Sequence, residues 1–228
     1  MVPIYCLDKE PEIMKKLITT NSNYTNFQRH YDEEIKHAQI VAMLAYSTAK
    51  KIKLSEKECL EAFESALEHD LGKGDLPPSV LFSSEVYDPL ENPVRGLHVD
   101  LGVFHGSKEG LPKYVLDAIQ FHHETFNPSK ISYPGKKIGA DIPLYARLIA
   151  PADNFVAITR DRIYRKALTF KETESIMLEQ DCFKFDPIIL TEFLVLCYEF
   201  SRYEKNLVDV LSKILFLKER GLSNKLYL

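Results

Sequence analysis

An all-α fold is predicted for this chain by three observations. Apolar residues recur at spacings of three and four through most segments, capping residues, glycines and prolines punctuate those segments, and no stretch alternates apolar and polar residues as a half-buried strand would. With 228 residues, 45% of them hydrophobic and 11% aromatic, the chain can bury one sizeable core. One domain is expected over residues 31–228, preceded by an N-terminal extension or small helical cap over residues 1–30.

The elements follow in order. From Asp32 to about Lys53 the pattern is helical: Val41, Leu44 and Ala45 lie four, seven and eight residues after His37, which places His37 on the buried stripe, with Glu33 one turn earlier on the same face. Ser55 followed by Glu58 is a capping-box signature, and Leu60, Phe63, Leu67 and Leu71 continue the pattern of a second amphipathic helix, with His69-Asp70 near its end. Gly72, Gly74 and Pro77-Pro78 then break the chain, and a loop to about residue 95 precedes a helix around His98. Pro112 suits the first turn of the next helix, which carries Val115, Ile119 and, at its end, His122-His123. After a loop with Pro128, Pro134, Gly135 and Gly139, a helix from Leu144 to about Ile158 bears Asp153. Further helices are expected near 171–180, capped by Thr169 with Glu172, from Pro187 to about Tyr203, and through about Leu217.

Composition excludes several classes. The formal charge of −4 arises from 29 basic and 33 acidic residues mixed along the chain, so neither a nucleic-acid stripe nor an acidic tail is implied. No apolar run approaches the ~18 residues of a membrane span, and the start lacks a basic segment followed by an apolar one. Cys6, Cys59, Cys182 and Cys197 have no close spacing and read as free thiols. A cytoplasmic protein without a membrane or nucleic-acid-polymer partner is expected.

Chemistry concentrates in eight residues: Glu33, His37, His69, Asp70, His98, His122, His123 and Asp153, which include five of the seven histidines. Imidazole and carboxylate without thiolate suit Fe, Mn, Zn, Co or Ni, and eight donors exceed what one ion takes. A cluster of two or three divalent ions is expected. Each residue also has an ordinary reading: Glu33 can pair with Lys36, His105 rivals His98 from two turns along the same face, His122 and His123 diverge by about 100° if the helix continues through them, and Lys73 can be a solvated turn residue.

The combined motifs resemble the HD superfamily, which uses a histidine on one helix, a His-Asp pair on the next and an aspartate on a later one, here His37, His69-Asp70 and Asp153. The chain is more specifically similar to the HD-GYP branch through Glu33-x3-His37, His69-Asp70-Leu71-Gly72-Lys73, His98-x3-Gly102, His122-His123-Glu124, Ile142-Pro143-Leu144-x-Ala146-Arg147, Ala152-Asp153-x8-Arg162 and Phe185-Asp186-Pro187. Over about residues 31–198, the resemblance implies an HD-domain helical bundle that hydrolyses a cyclic dinucleotide second messenger, chiefly cyclic di-GMP, to linear dinucleotide and onward to mononucleotide. It implies all eight residues as ligands, Glu33 being the mark of three-metal members, with iron first and manganese next.

In such a site Asp70 and Asp153 are the carboxylates near the attacking water. Lys73 is the candidate for stabilising developing negative charge, with Asp70 the second catalytic residue. Arg162 and Arg165 are expected on the non-scissile phosphate. Tyr133 is implied as a substrate contact, since it survives in the loop that borders the family's substrate groove. That loop departs from the family pattern: Lys130 and Ser132 stand where glycines are usual, which alters the loop path and bears on which cyclic dinucleotide is accepted. Two other readings remain open, a cyclic-dinucleotide receptor with little turnover and an HD-type di-iron oxygenase; a signalling protein partner is left unspecified.

Overall fold

A computed structural model describes residues 28–76, 80, 93–160, 166–179 and 182–201. All regular elements among them are helical: α1 Gln28–Lys51, α2 Glu56–Glu68, α3 Leu97–Glu109, α4 Lys113–Phe121, α5 Leu144–Thr159, α6 Phe170–Glu179 and α7 Pro187–Ser201. Short 3-10 turns cover Leu71–Asp75, Pro93–Gly96, Gly139–Asp141 and Cys182–Lys184. The expected all-α class is therefore observed. Of the N-terminal extension expected over residues 1–30, residues 1–27 lie outside the described residues and 28–30 belong to α1; the helix expected through about Leu217 also lies outside them.

α1 is the central element because it is apolar on most of its circumference. Ile40 through Ala45 are all buried, as is Ala49, and α2, α5 and α7 pack around it. Phe63, Leu148, Ile149, Phe155 and Phe193 complete the core. α1 ends two residues earlier than the sequence pattern suggests. Lys53 adopts a left-handed φ of 64°, and Leu54 N–H donates to Ala49 O while Lys53 N–H donates to Lys50 O, the bond pattern of a Schellman stop.

α2 begins as expected: Ser55 Oγ accepts from Glu58 N–H at 3.3 Å and Glu58 Oε2 accepts from Ser55 N–H at 2.8 Å. Thr169 and Glu172 make the same reciprocal pair before α6. No described helix is long and apolar enough to cross a membrane.

A long-range lock joins the start of α5 to the start of α7. Arg147 on α5 donates from Nη1 to Asp186 Oδ2 at 2.7 Å, while Asp186 Oδ1 accepts from Ile188 N–H at 2.9 Å and so caps α7. Asp186 is 6% exposed, so its removal strands Arg147 in a part-buried site and uncaps a core helix. Asp186→Ala is expected to cost about 3 kcal/mol, read from the urea midpoint of unfolding. A midpoint unchanged from wild type would show that the lock is not holding α7.

Candidate metal centre

Five segments bring their donors to one end of the core. His37 comes from the middle of α1, His69 caps the C-terminus of α2 and Asp70 follows it, His98 sits in the first turn of α3, His122 and His123 follow α4, and Asp153 lies on α5. His37, His69, His98 and His122 are buried. Because the helix ends at Phe121, the divergence expected of neighbouring helical positions is relaxed and both His122 and His123 face the site.

The donors form two groups, His37, His69, Asp70 and Asp153, and Asp70, His98, His122 and His123. Asp70 belongs to both, and its two oxygens divide between them. Oδ2 lies 3.0 Å from His69 Nε2 and 3.7 Å from His37 Nε2, whereas Oδ1 lies 3.5 Å from His98 Nε2 and 3.9 Å from His122 Nε2. Asp153 Oδ1 closes the first group, 3.0 Å from His37 Nε2. Such separations suit atoms about 2.1 Å from a shared ion.

Hydrogen bonding indicates that these atoms await a cation. Nε2 of His37 and of His69, and Oδ1 of Asp70, are buried without a hydrogen-bond partner, while Asp70 Oδ2 faces the Lys73 ammonium. The opposite edges of two rings are fixed: His69 Nδ1 lies 2.7 Å from Ala66 O and His122 Nδ1 lies 2.9 Å from Ile119 O. A carbonyl only accepts, so Nδ1 carries the hydrogen and Nε2 is the edge left for coordination, the usual arrangement around a ligating histidine. The residues present fit a pair of ions bridged by one carboxylate.

The two halves differ electrically. Burial, then the neighbouring imidazoles, lowers His122 to about 3 and holds His123 well below its ordinary value, so both rings are neutral with lone pairs available. His69 is equally buried, which depresses it, but the carboxylates of Asp70 and Asp153 outweigh burial and raise it to about 9. Asp70 and Asp153 are themselves held low despite burial, by His69 and Lys73 in the first case and by His37 in the second. One half therefore offers two carboxylates with two imidazoles, and the other three imidazoles, His122 and His123 among them held neutral, with the shared carboxylate.

Lys73 is placed differently from the solvated turn residue that its glycine neighbours suggest. Its Nζ lies 2.5 Å from Asp70 Oδ2 and 3.4 Å from Glu34 Oε2. Burial opposes its charge, yet Asp70 and then Glu34 raise its pKa, so it stays an ammonium at the edge of the centre. His105, the rival of His98, pairs instead with Asp75 and stands outside both donor groups. Glu33 lies within α1, its side chain outside the described part, and Arg162 and Arg165 also fall outside the described residues.

Tyr133 stacks on His123 with centroids 4.5 Å apart and planes 29° apart, which brings the loop over the imidazole-rich half. The residue that holds this loop stands in the His122-His123-Glu124 motif, where the sequence reading assigned it no role. Glu124, 3% exposed, accepts from Ser132 Oγ and from the backbone N–H groups of Gly135, Lys136 and Lys137 at 3.2, 2.7 and 3.1 Å. Three of these donors cluster in sequence, so a buried carboxylate facing a turn was the available signal.

A helical bundle that presents one carboxylate between two clusters of imidazole and carboxylate donors defines a class: a protein built to hold two neighbouring cations on facing helices. The family model described as HD domain matches residues 24–189, and the chain belongs to that family. It is 30% identical over 159 residues to a probable cyclic di-GMP phosphodiesterase of Vibrio cholerae, covering 66% of this chain and 34% of that protein. It is 29% identical over 175 residues to a 3'3'-cGAMP-specific phosphodiesterase of the same organism, covering 76% and 33% respectively. The chain thus spans about a third of the length of these curated relatives. Among solved structures, an HDG"Y"P protein from Bdellovibrio bacteriovorus shares the fold with a TM-score of 0.58 at 18% identity, over 71% of this chain and 51% of that one.

Proposed function

We propose that this chain is the catalytic part of a metal-dependent phosphodiesterase of the HD-GYP branch, opening a cyclic dinucleotide, cyclic di-GMP first, to its linear form. The observation that carries the reading is the division of Asp70, whose two oxygens face separate donor groups. The names of the Vibrio cholerae relatives support the substrate class. Two cations would be held by His37, His69, Asp70 and Asp153 and by Asp70, His98, His122 and His123, and when bound they supply Lewis acidity and a hydroxide at neutral pH. Glu33 would complete a third position. Iron leads and manganese follows among the candidate ions.

The chain's own residues supply the rest. Asp153 and Asp70 hold and orient the attacking water. That oxygen forms a new bond to phosphorus as one bridging P–O bond breaks, and the leaving oxygen takes up a proton. Lys73, kept charged by Asp70 and Glu34, offers positive charge where the phosphorane develops its negative charge. Arg162 and Arg165 would hold the second phosphate.

The test is incubation of anaerobically iron- or manganese-loaded protein with cyclic di-GMP, cyclic GMP-AMP and cyclic di-AMP, following linear products by chromatography. Linear product is expected, with loss on chelation and return on adding the metal back. Tight binding without product in every metal form would make the chain a receptor, and oxygen consumption would make it a di-iron oxygenase.

A further inference from the structure

The loop that departs from the family pattern is closed on itself by one side chain. Lys130 and Ser132 stand where glycines are usual, yet among the described residues Lys53 is the one non-glycine with a left-handed φ, so both take ordinary backbone. In place of a glycine's freedom, position 132 carries a hydroxyl that bonds in two directions. Ser132 Oγ donates to Glu124 Oε2 and accepts from Thr125 N–H at 3.0 Å. The Glu124 carboxylate is buried and already held by the backbone N–H groups of Gly135, Lys136 and Lys137, so the hydroxyl is tied to a fixed point.

This stitch stands behind the wall of a cavity of about 240 Å3 beside the imidazole-rich half. Glu124, Thr125, Ile131 and Tyr133 all line the cavity; Ser132 joins the first two to the stretch that carries the other two. Tyr133 N–H reaches His123 O at 3.4 Å, and the Tyr133 ring stacks on His123 and stands edge-on to His98 with centroids 6.2 Å apart. His123 and Asp153 line the same cavity, so a molecule seated in it has one end at the metal donors and the other against the loop. Pockets that enclose a whole drug-sized ligand run to about 300–1,000 Å3, so this one suits one nucleotide of a dinucleotide rather than both.

We infer that Ser132 is a positioning residue: it fixes the Tyr133 wall in advance, making the cavity a preformed recess for one nucleotide of the substrate. The inference rests on the function proposed above and deepens it. A loop without the latch must be ordered when a ligand seats against it, and that ordering subtracts from affinity. The two hydrogen bonds of Ser132 meet that cost before the ligand arrives. The effect falls on the nucleoside, which meets the wall, and spares the phosphate, which meets the metals.

Three variants test it. Ser132→Ala removes the hydroxyl, Ser132→Gly also frees the backbone, and Ser132→Thr keeps the hydroxyl. Calorimetric titration of manganese-loaded protein with GMP and with inorganic phosphate separates wall from metals. GMP binding should weaken about ten-fold in Ser132→Ala, at least as much in Ser132→Gly, and return in Ser132→Thr. Phosphate affinity and manganese content should stay at the wild-type level throughout. With turnover, KM for cyclic dinucleotides should rise while kcat stays within about two-fold, the mark of lost binding rather than lost chemistry. Equal weakening of GMP and phosphate would show that the substitution disturbs the metal centre, and overturns the inference. GMP binding as tight in Ser132→Ala as in the wild type overturns it too, as does wild-type GMP binding no tighter than phosphate. Absence of turnover of any cyclic dinucleotide by the wild type overturns the proposed function instead, and the GMP and phosphate titrations still decide the role of Ser132.

Discussion

Asp70→Ala is expected to lower phosphodiester turnover by about a thousand-fold or more and to reduce metal content in both halves of the centre at once. The reason is that Asp70 is the one carboxylate common to both donor groups. Its Oδ2 stands beside His69 and His37 and against the Lys73 ammonium, and its Oδ1 stands beside His98 and His122 with no hydrogen-bond partner. Asp153→Ala and His98→Ala serve as contrasts, because each removes a donor from one group alone. Metal analysis of the purified variants should give the largest loss for Asp70→Ala and partial loss for the other two. Equal, partial losses in all three would mean that Asp70 does not bridge. The substitution also leaves Lys73 with Glu34 alone, 3.4 Å away, so a fall in kcat beyond the fall in metal content measures the ammonium's displacement.

How far the site was legible in the sequence depended on whether its parts lie close in the chain. His37 was placed by the helical period of its neighbours, and His69-Asp70 by a capping box followed by a glycine break; both are local signals, and both residues stand where those signals put them. The histidines after α4 were ambiguous only because the sequence does not show whether the helix continues through them, and it stops at Phe121. Contacts between distant residues left no such trace. Lys73 was read as the candidate for stabilising developing charge, but its pairing with Glu34, 39 positions away, left no trace, and the Arg147–Asp186 pair spans another 39. Both members of that pair stood in motifs quoted for the family resemblance, yet their role in capping α7 is a matter of packing.

Gly72→Ala is expected to have the second largest effect, although Gly72 carries no side chain and binds nothing. It lies in the 3-10 turn just after Asp70, where that turn is pressed against α3. A Cβ added there would lie 2.0 Å from His98 O, 2.4 Å from Gly102 N and 2.9 Å from His98 C. All three atoms are backbone, so no side chain can turn aside, and α3 or the turn must move by about 1 Å to restore van der Waals contact. That movement separates Asp70 Oδ1 from His98 Nε2, which are 3.5 Å apart. A cost of about 3 kcal/mol in stability is expected from overpacking, and a misplacement of about 1 Å in a ligand can cost roughly a hundred-fold in turnover.

Two other glycines face different surroundings. At Gly102 the nearest obstacle to a Cβ is the Ile119 Cγ2 methyl at 2.7 Å, with Gly72 N at 3.2 Å, so Gly102→Ala should be milder. At Gly110 nothing lies within 4 Å, but the φ of 76° is left-handed, so Gly110→Ala should cost only about 1 kcal/mol of strain and leave the metals in place. Urea midpoints and metal contents should therefore both rank Gly72→Ala as the most damaged, with metal loss greatest in the half that contains His98. Wild-type metal content in a folded Gly72→Ala protein would show that the turn and α3 can part without disturbing the centre, and that close approach is not what sets the distance between Asp70 and His98.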